Sequence, residues 1–114
     1  MAALRVGALP DGPLDAAAAF HGEVLAKAHA ALAASDSDLT LVFAPASPEH
    51  RGWRLAALQQ LARDHAPSRV NALESDDENA IAAALAYLDQ APGLTGQLLR
   101  LDGNGVDALL SAIV

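Results

Sequence analysis

The stretch DLTLVFAPAS, residues 38–47, decides the fold. From Leu39 to Ala44 (LTLVFA) nearly every position is apolar, with no alternation of apolar and polar side chains. Strands with one face in water alternate, whereas a parallel strand covered on both faces reads as a continuous apolar run. The stretch therefore predicts a central parallel strand, stopped by Pro45-Ala46-Ser47-Pro48. A parallel neighbour requires a long crossover, usually a helix, and the flanking sequence supplies one on each side.

Upstream, Leu14 to Ala34 is alanine-rich and helix-forming, and Ser35-Asp36-Ser37-Asp38 ends it. Phe20, Val24, Leu25, Ala28 and Leu32 recur at helical spacing and predict a core-facing side. Gly22, Ala26, Ala30 and Ala33 form a second stripe of small residues, so this helix is expected to have two packing partners. Before it, residues 3–9 (ALRVGAL) read as a strand ending at Pro10-Asp11-Gly12-Pro13.

Downstream, residues 49–65 predict a helix with Leu55, Leu58, Leu61 and Ala62 inward and Trp53 off that stripe, closed by Pro67. Arg69 to Leu73 (RVNAL) reads as a third strand. Ser75 with Glu78 fits a capping box, and Asp76 and Asp77 suit the positive end of the helix that follows. Ile81, Ala84, Leu85 and Leu88 give that helix a core stripe, and Pro92-Gly93 ends it. Gln97 to Leu101 supplies a fourth strand, Asp102-Gly103-Asn104-Gly105 a turn, and Val106 to Ile113 a terminal helix. Strands alternating with helices predict one α/β domain over residues 1–114, with four parallel strands in the order 1-2-3-4 flanked by helices.

Composition narrows the function. Hydrophobic residues make up 53% of the 114 positions and charged residues 18%, which suits one folded core. Seven basic against fourteen acidic residues leave a net charge of −7, the wrong sign for a nucleic-acid or anionic-membrane partner. No run approaches the roughly 20 apolar residues of a membrane span. The opening MAALRVGALPDG lacks the apolar run of a signal peptide, and there is no cysteine, so a cytoplasmic protein is expected.

Three passages carry a resemblance. LAALQQLARDHAPSRVNAL (55–73) is similar to a helix-strand passage in which an A-L-x-x-L-A-x-E-x-A-P run leads into R-V-N-A. AAALAYLDQAPGLTGQLLRLDGN (82–104) is similar to a closing helix, a T-G-Q turn and a last strand ending in D-G-G. FHGEVLAKAHAAL (20–32) followed by DLTLVFAPAS (38–47) is similar to an N-L-x-G helix and an I-V-N-I-S-S strand. Together they resemble the C-terminal half of the short-chain dehydrogenase/reductase family, which implies a truncated, three-layer Rossmann-like fold. Arg5 to Leu9 then stand for that family's fourth strand, and its first three strands and glycine-rich loop have no counterpart. The family's dinucleotide sits on a G-x-x-x-G-x-G turn. Gly7, Gly12 and Gly22 have other spacings, and Pro10 and Pro13 lack amide donors. No cofactor is expected.

The resemblance also locates the family's catalytic positions. A Tyr-x-x-x-Lys pair works because the spacing sets an ammonium beside the phenol and makes it a better proton donor. Counting back from Ala66-Pro67, those positions fall on Ser47 and Arg51, the family's serine falls near Ala46, and its helix asparagine falls on Ala19. All are substituted, and the chain has one tyrosine, Tyr87, and one lysine, Lys27.

The remaining polar residues have plainer readings. His21, His29, His50 and His65 lack the spacing of a converging metal site, so no metal is expected and they read as surface or interface side chains. Ser47 with His50 has no oriented acid partner and reads as a turn. Asn71 either bridges backbone groups or fills a strand.

The sequence thus predicts a non-catalytic homodimer, an interaction or regulatory module with a complete dehydrogenase as a further candidate partner. The resemblance implies pairing through helices 14–34 and 49–65, and the interface residues expected are Gly22, Ala26, Ala30, Ala33, Trp53, Ala57 and Gln60. Trp53 has a second reading, as a cap on the domain's own core. The alternative function is a small-ligand- or nucleotide-binding domain with a pocket near Pro10–Pro13, Ala46–Arg51 and Glu74–Asp77, or an oxidoreductase subunit completed by a partner chain.

Overall fold

The structure, a computed structural model, describes residues 2–35 and 38–101. In chain order it comprises β1 (Ala2–Arg5), α1 (Pro13–Ala19), a π-helical turn (Phe20–Val24), α2 (Leu25–Ser35), β2 (Leu39–Phe43), a 3-10 turn (Pro48–His50), α3 (Arg51–Asp64), β3 (Val70–Glu74), α4 (Glu78–Asp89) and β4 (Leu98–Arg100). The sheet is parallel throughout, in the order β1-β2-β3-β4, with Leu39 opposite both Ala2 and Val70. This is the expected α/β, Rossmann-like arrangement.

Alternation along the strands builds two cores. Leu39, Leu41 and Phe43 of β2 and Val70 and Ala72 of β3 pack with Phe20, Val24, Ala28 and Leu32 and with Leu58 and Leu61 of α3. On the other face, Val42, Leu73 and Leu99 pack with Ile81, Ala84 and Leu88 of α4. Every residue of β2 is buried, as its unbroken apolar run required, and every residue of β3 is buried too, Asn71 and Glu74 included.

The motifs of the resemblance act as splices. Arg69 donates through Nε to Asp38 Oδ2 at 2.8 Å and through its backbone N–H to Asp38 Oδ1 at 2.7 Å. Its Nη1 reaches the carbonyls of Leu88 and Ala91, which ties the start of β3 to the end of α4. Asn71 bridges backbone groups: Nδ2 donates to Leu94 O and Oδ1 accepts from Gln97 N. In the T-G-Q turn, Thr95 Oγ1 accepts from Val70 N, and Gly96, at φ 72°, donates to Val70 O at 2.7 Å. Only glycine adopts that φ without strain.

Three expectations change. The first strand is Ala2–Arg5 rather than residues 3–9; after one more backbone bond, Val6 N to Val42 O, the chain leaves the sheet, and Pro10 has no donor with which to rejoin it. The inward face of α3 is Arg54, Ala57, Leu58 and Leu61, with Leu55 and Ala62 only half-buried, so the helix is rotated from the predicted stripe. Asp77 caps α4, accepting from Asn79 N at 2.9 Å and Ala80 N at 3.2 Å. Because β3 runs through Glu74 and Ser75 N still bonds Phe43 O, Ser75 remains extended and its hydroxyl accepts from Asp77 N. Glu78 is thereby freed to pair with Arg5 at 2.6 Å. The terminal helix expected at 106–113 and the turn before it lie outside the described residues.

Candidate functional site

The loops after β1 and β2 leave the sheet at its C-terminal edge and part around a cleft of about 500 Å³. Open parallel sheets bind ligands at this edge, and the volume falls in the usual range for small-molecule sites. One wall is residues 7–11, the other residues 43–47, and the start of the α3 region closes the end with Glu49, His50 and Arg54.

His50 is buried and fully committed. Its Nε2 faces the Asp11 carbonyl at 2.8 Å, and the Trp53 indole donates to its Nδ1 at 3.1 Å. A carbonyl only accepts and an indole N–H only donates, so these partners assign the Nε2–H tautomer. No lone pair remains for Ser47, whose hydroxyl donates to Glu49 Oε1 at 3.2 Å. The Ser47–His50 pair is therefore not a nucleophile with its base.

The ion pair of Arg54 with Glu74 was not anticipated from the sequence, which named Glu74 only as the start of a pocket loop; Arg54 lines the cleft and Glu74 does not. Arg54 Nη1 donates to Glu74 Oε2 at 2.7 Å and to Ala44 O at 3.0 Å, and the guanidinium lies over the Phe43 ring, 4.4 Å from its centroid. Its Nε is buried without a hydrogen-bond partner among the described residues. Two signals were available: Arg54 is one helical turn before Leu58 on the inward line of α3, and Glu74 ends an apolar strand.

The four family positions are scattered in character. Ala46 is half-buried on the cleft wall, Ser47 is exposed beside it, Arg51 is exposed at the start of α3, and Ala19 is half-buried at the end of α1. Tyr87 packs against the α4 core on the opposite sheet face, and Lys27 is exposed on α2. A pyrophosphate fits this cleft poorly. Asp11 and Glu49 add negative charge, and Arg54 is already offset by Glu74.

The predicted interface residues fall into two groups. Gly22, Ala26, Ala30 and Ala33 are exposed along one side of the α1–α2 helix, and Gln60 is exposed on α3. Ala57 is buried in the chain's own core, and Trp53 is half-buried, its ring 5.5 Å from Phe20 and 5.8 Å from Phe43. Trp53 thus packs against the chain's own core with part of its ring still exposed. Among the described residues no three His, Asp or Glu side chains converge as a metal-ligand set, and no helix is long and apolar enough to cross a membrane.

A family model described as SDR-like, short chain dehydrogenase-like protein, matches residues 4–101. No curated protein and no solved structure matches the chain.

Proposed function

Because this chain belongs to the short chain dehydrogenase-like family, we propose that it is a non-catalytic member that works by association, as a cytoplasmic homodimer and as a module able to pair with a complete dehydrogenase. The observation that carries this reading is the open side of the α1–α2 helix. Gly22 sits in the middle of that helix, where glycine costs about 1 kcal/mol relative to alanine. A Cβ there would meet nothing within 4 Å, so the chain's own packing gives no reason for it, whereas close approach of a second helix does. Ala26, Ala30 and Ala33 extend the same low-relief surface, which a two-fold pairing can bury.

Support for the non-catalytic part is chemical. The Tyr-x-x-x-Lys pair that the resemblance implies shuttles a proton at a substrate oxygen through a phenol with a cation beside it. Ser47 and Arg51 stand at those positions, and a serine hydroxyl is far less acidic than a phenol. Sedimentation velocity at tens of micromolar is expected to give a species of twice 11.7 kDa. A lone monomer overturns the association reading, and reduced-nicotinamide turnover with a panel of ketones and aldehydes overturns the non-catalytic one.

The cleft of about 500 Å³ with buried Arg54 on its wall favours a second reading, a small-ligand-binding domain. A rise of several degrees in the unfolding temperature with a dinucleotide or a small carbonyl compound would favour it.

A further inference from the structure

Two histidines that are far apart in sequence meet on the helical layer. His29 of α2 and His65, the residue that closes α3, bring Nδ1 and Nε2 to 2.7 Å, with ring centroids 5.0 Å apart. Both are half-buried, and among the described residues neither ring makes another hydrogen bond. The other two histidines are differently committed. His21 Nδ1 donates to Ala17 O of its own helix at 2.7 Å, and both ring nitrogens of His50 are taken. Beside His29, a hollow of about 110 Å³ between α2 and α3 is lined also by His21 and Asp64, so the His29 side of the pair opens on a surface depression.

Two imidazole nitrogens at 2.7 Å hold a single proton between them, one donating and the other accepting. We propose that His29 Nδ1 and His65 Nε2 form a binding site for a divalent transition-metal ion of borderline softness, zinc first, with water completing its coordination. Imidazole is the preferred donor for zinc, nickel and copper, and the fold supplies two such donors from separate elements. At Zn–N distances of about 2.0–2.1 Å and a tetrahedral angle the two nitrogens sit about 3.3 Å apart, so the rings part by only about 0.6 Å. Both rings must also turn so that the lone pairs of the two nitrogens, which face each other in the hydrogen bond, converge on the ion. The negative chain, with Asp64 in the adjoining hollow, favours a cation there. Bound metal would pin α2 to the end of α3 within one chain. The site does not depend on association, which is read separately as mass.

The test is titration of the untagged chain with zinc chloride in a non-chelating buffer, followed by calorimetry. One ion per chain is expected, with His29→Ala and His65→Ala each weakening binding at least tenfold and His21→Ala changing it less than threefold. Substoichiometric binding, or binding that survives both His29→Ala and His65→Ala, overturns the site. Electron paramagnetic resonance of the wild-type chain loaded with one equivalent of copper(II) needs no variant to fold. Two coordinated imidazoles are expected, and one or none overturns the proposal.

Discussion

Arg54 of α3 and Glu74 at the end of β3 form a buried ion pair at 2.7 Å, their side chains only 5% and 8% exposed. Removing one partner leaves the other charge in the interior, which typically costs 3–5 kcal/mol, while replacing both with apolar residues of similar volume is close to neutral. Glu74→Ala should therefore lower the stability measured by urea unfolding at neutral pH by about 3–5 kcal/mol. The double variant Arg54→Met/Glu74→Leu should recover most of the loss. A single-variant cost under about 1 kcal/mol would mean that water reaches the pair.

Asp38 and Arg69 govern the acid limb. Burial pushes the Asp38 carboxyl up, but the Arg69 backbone N–H and guanidinium outweigh burial and hold it below its ordinary 3.8. The folded chain thus takes up this proton less readily than the unfolded one. The stabilisation is complete above the ordinary value and fades as pH falls through the lowered one. Asp38→Asn should cost on the order of 1–3 kcal/mol at pH 7. It should also flatten the fall of chemical-denaturation stability with acid between roughly pH 5 and pH 2. An unchanged acid slope would place the titration elsewhere.

Gly96 is held at φ 72°, while Gly93 is not in that region, and a Cβ at Gly93 would meet nothing within 4 Å. Gly96→Ala should lower stability by about 1–2 kcal/mol, since a residue with a Cβ is strained there. Gly93→Ala should stay within about 0.5 kcal/mol of the parent. Equal costs for the two, read from thermal melts, would show that the turn relaxes.

The fold was legible in the sequence because its signals are local: the apolar run of β2, the helical stripes and the proline stops each act over a few residues. The R-V-N and T-G-Q passages were legible for a different reason. Their side chains splice β3 to α4 and to the turn before β4, so the fold itself demands them. The cleft was legible only as a place. Its inner groups, Arg54 with Glu74 and His50 with Asp11 and Trp53, pair across elements, and periodicity along one helix says nothing of what lies opposite. The same limit hid the meeting of His29 and His65. Asp77 was misread as a follower of the cap because the box rule takes the first hydroxyl available, and the true boundary depends on how far β3 runs.

The association surface makes the last prediction. Ala26 and Ala30 are exposed on α2, so a longer polar side chain at either position touches nothing within the monomer. Glutamate is nearly as good a helix former as alanine, and the intrinsic cost is a few tenths of a kcal/mol. In a closely packed helix pair related by a two-fold axis, each substitution enters the interface twice and buries two unpaired carboxylates against the partner helix, which is strongly unfavourable. Ala26→Glu and Ala30→Glu should therefore halve the sedimenting mass while leaving far-UV circular dichroism and the melting temperature of the dilute chain nearly unchanged. A dimer that persists in both variants would mean that the chain pairs through another face, the β1 edge being next to examine, since Ala3 and Arg5 are exposed along it.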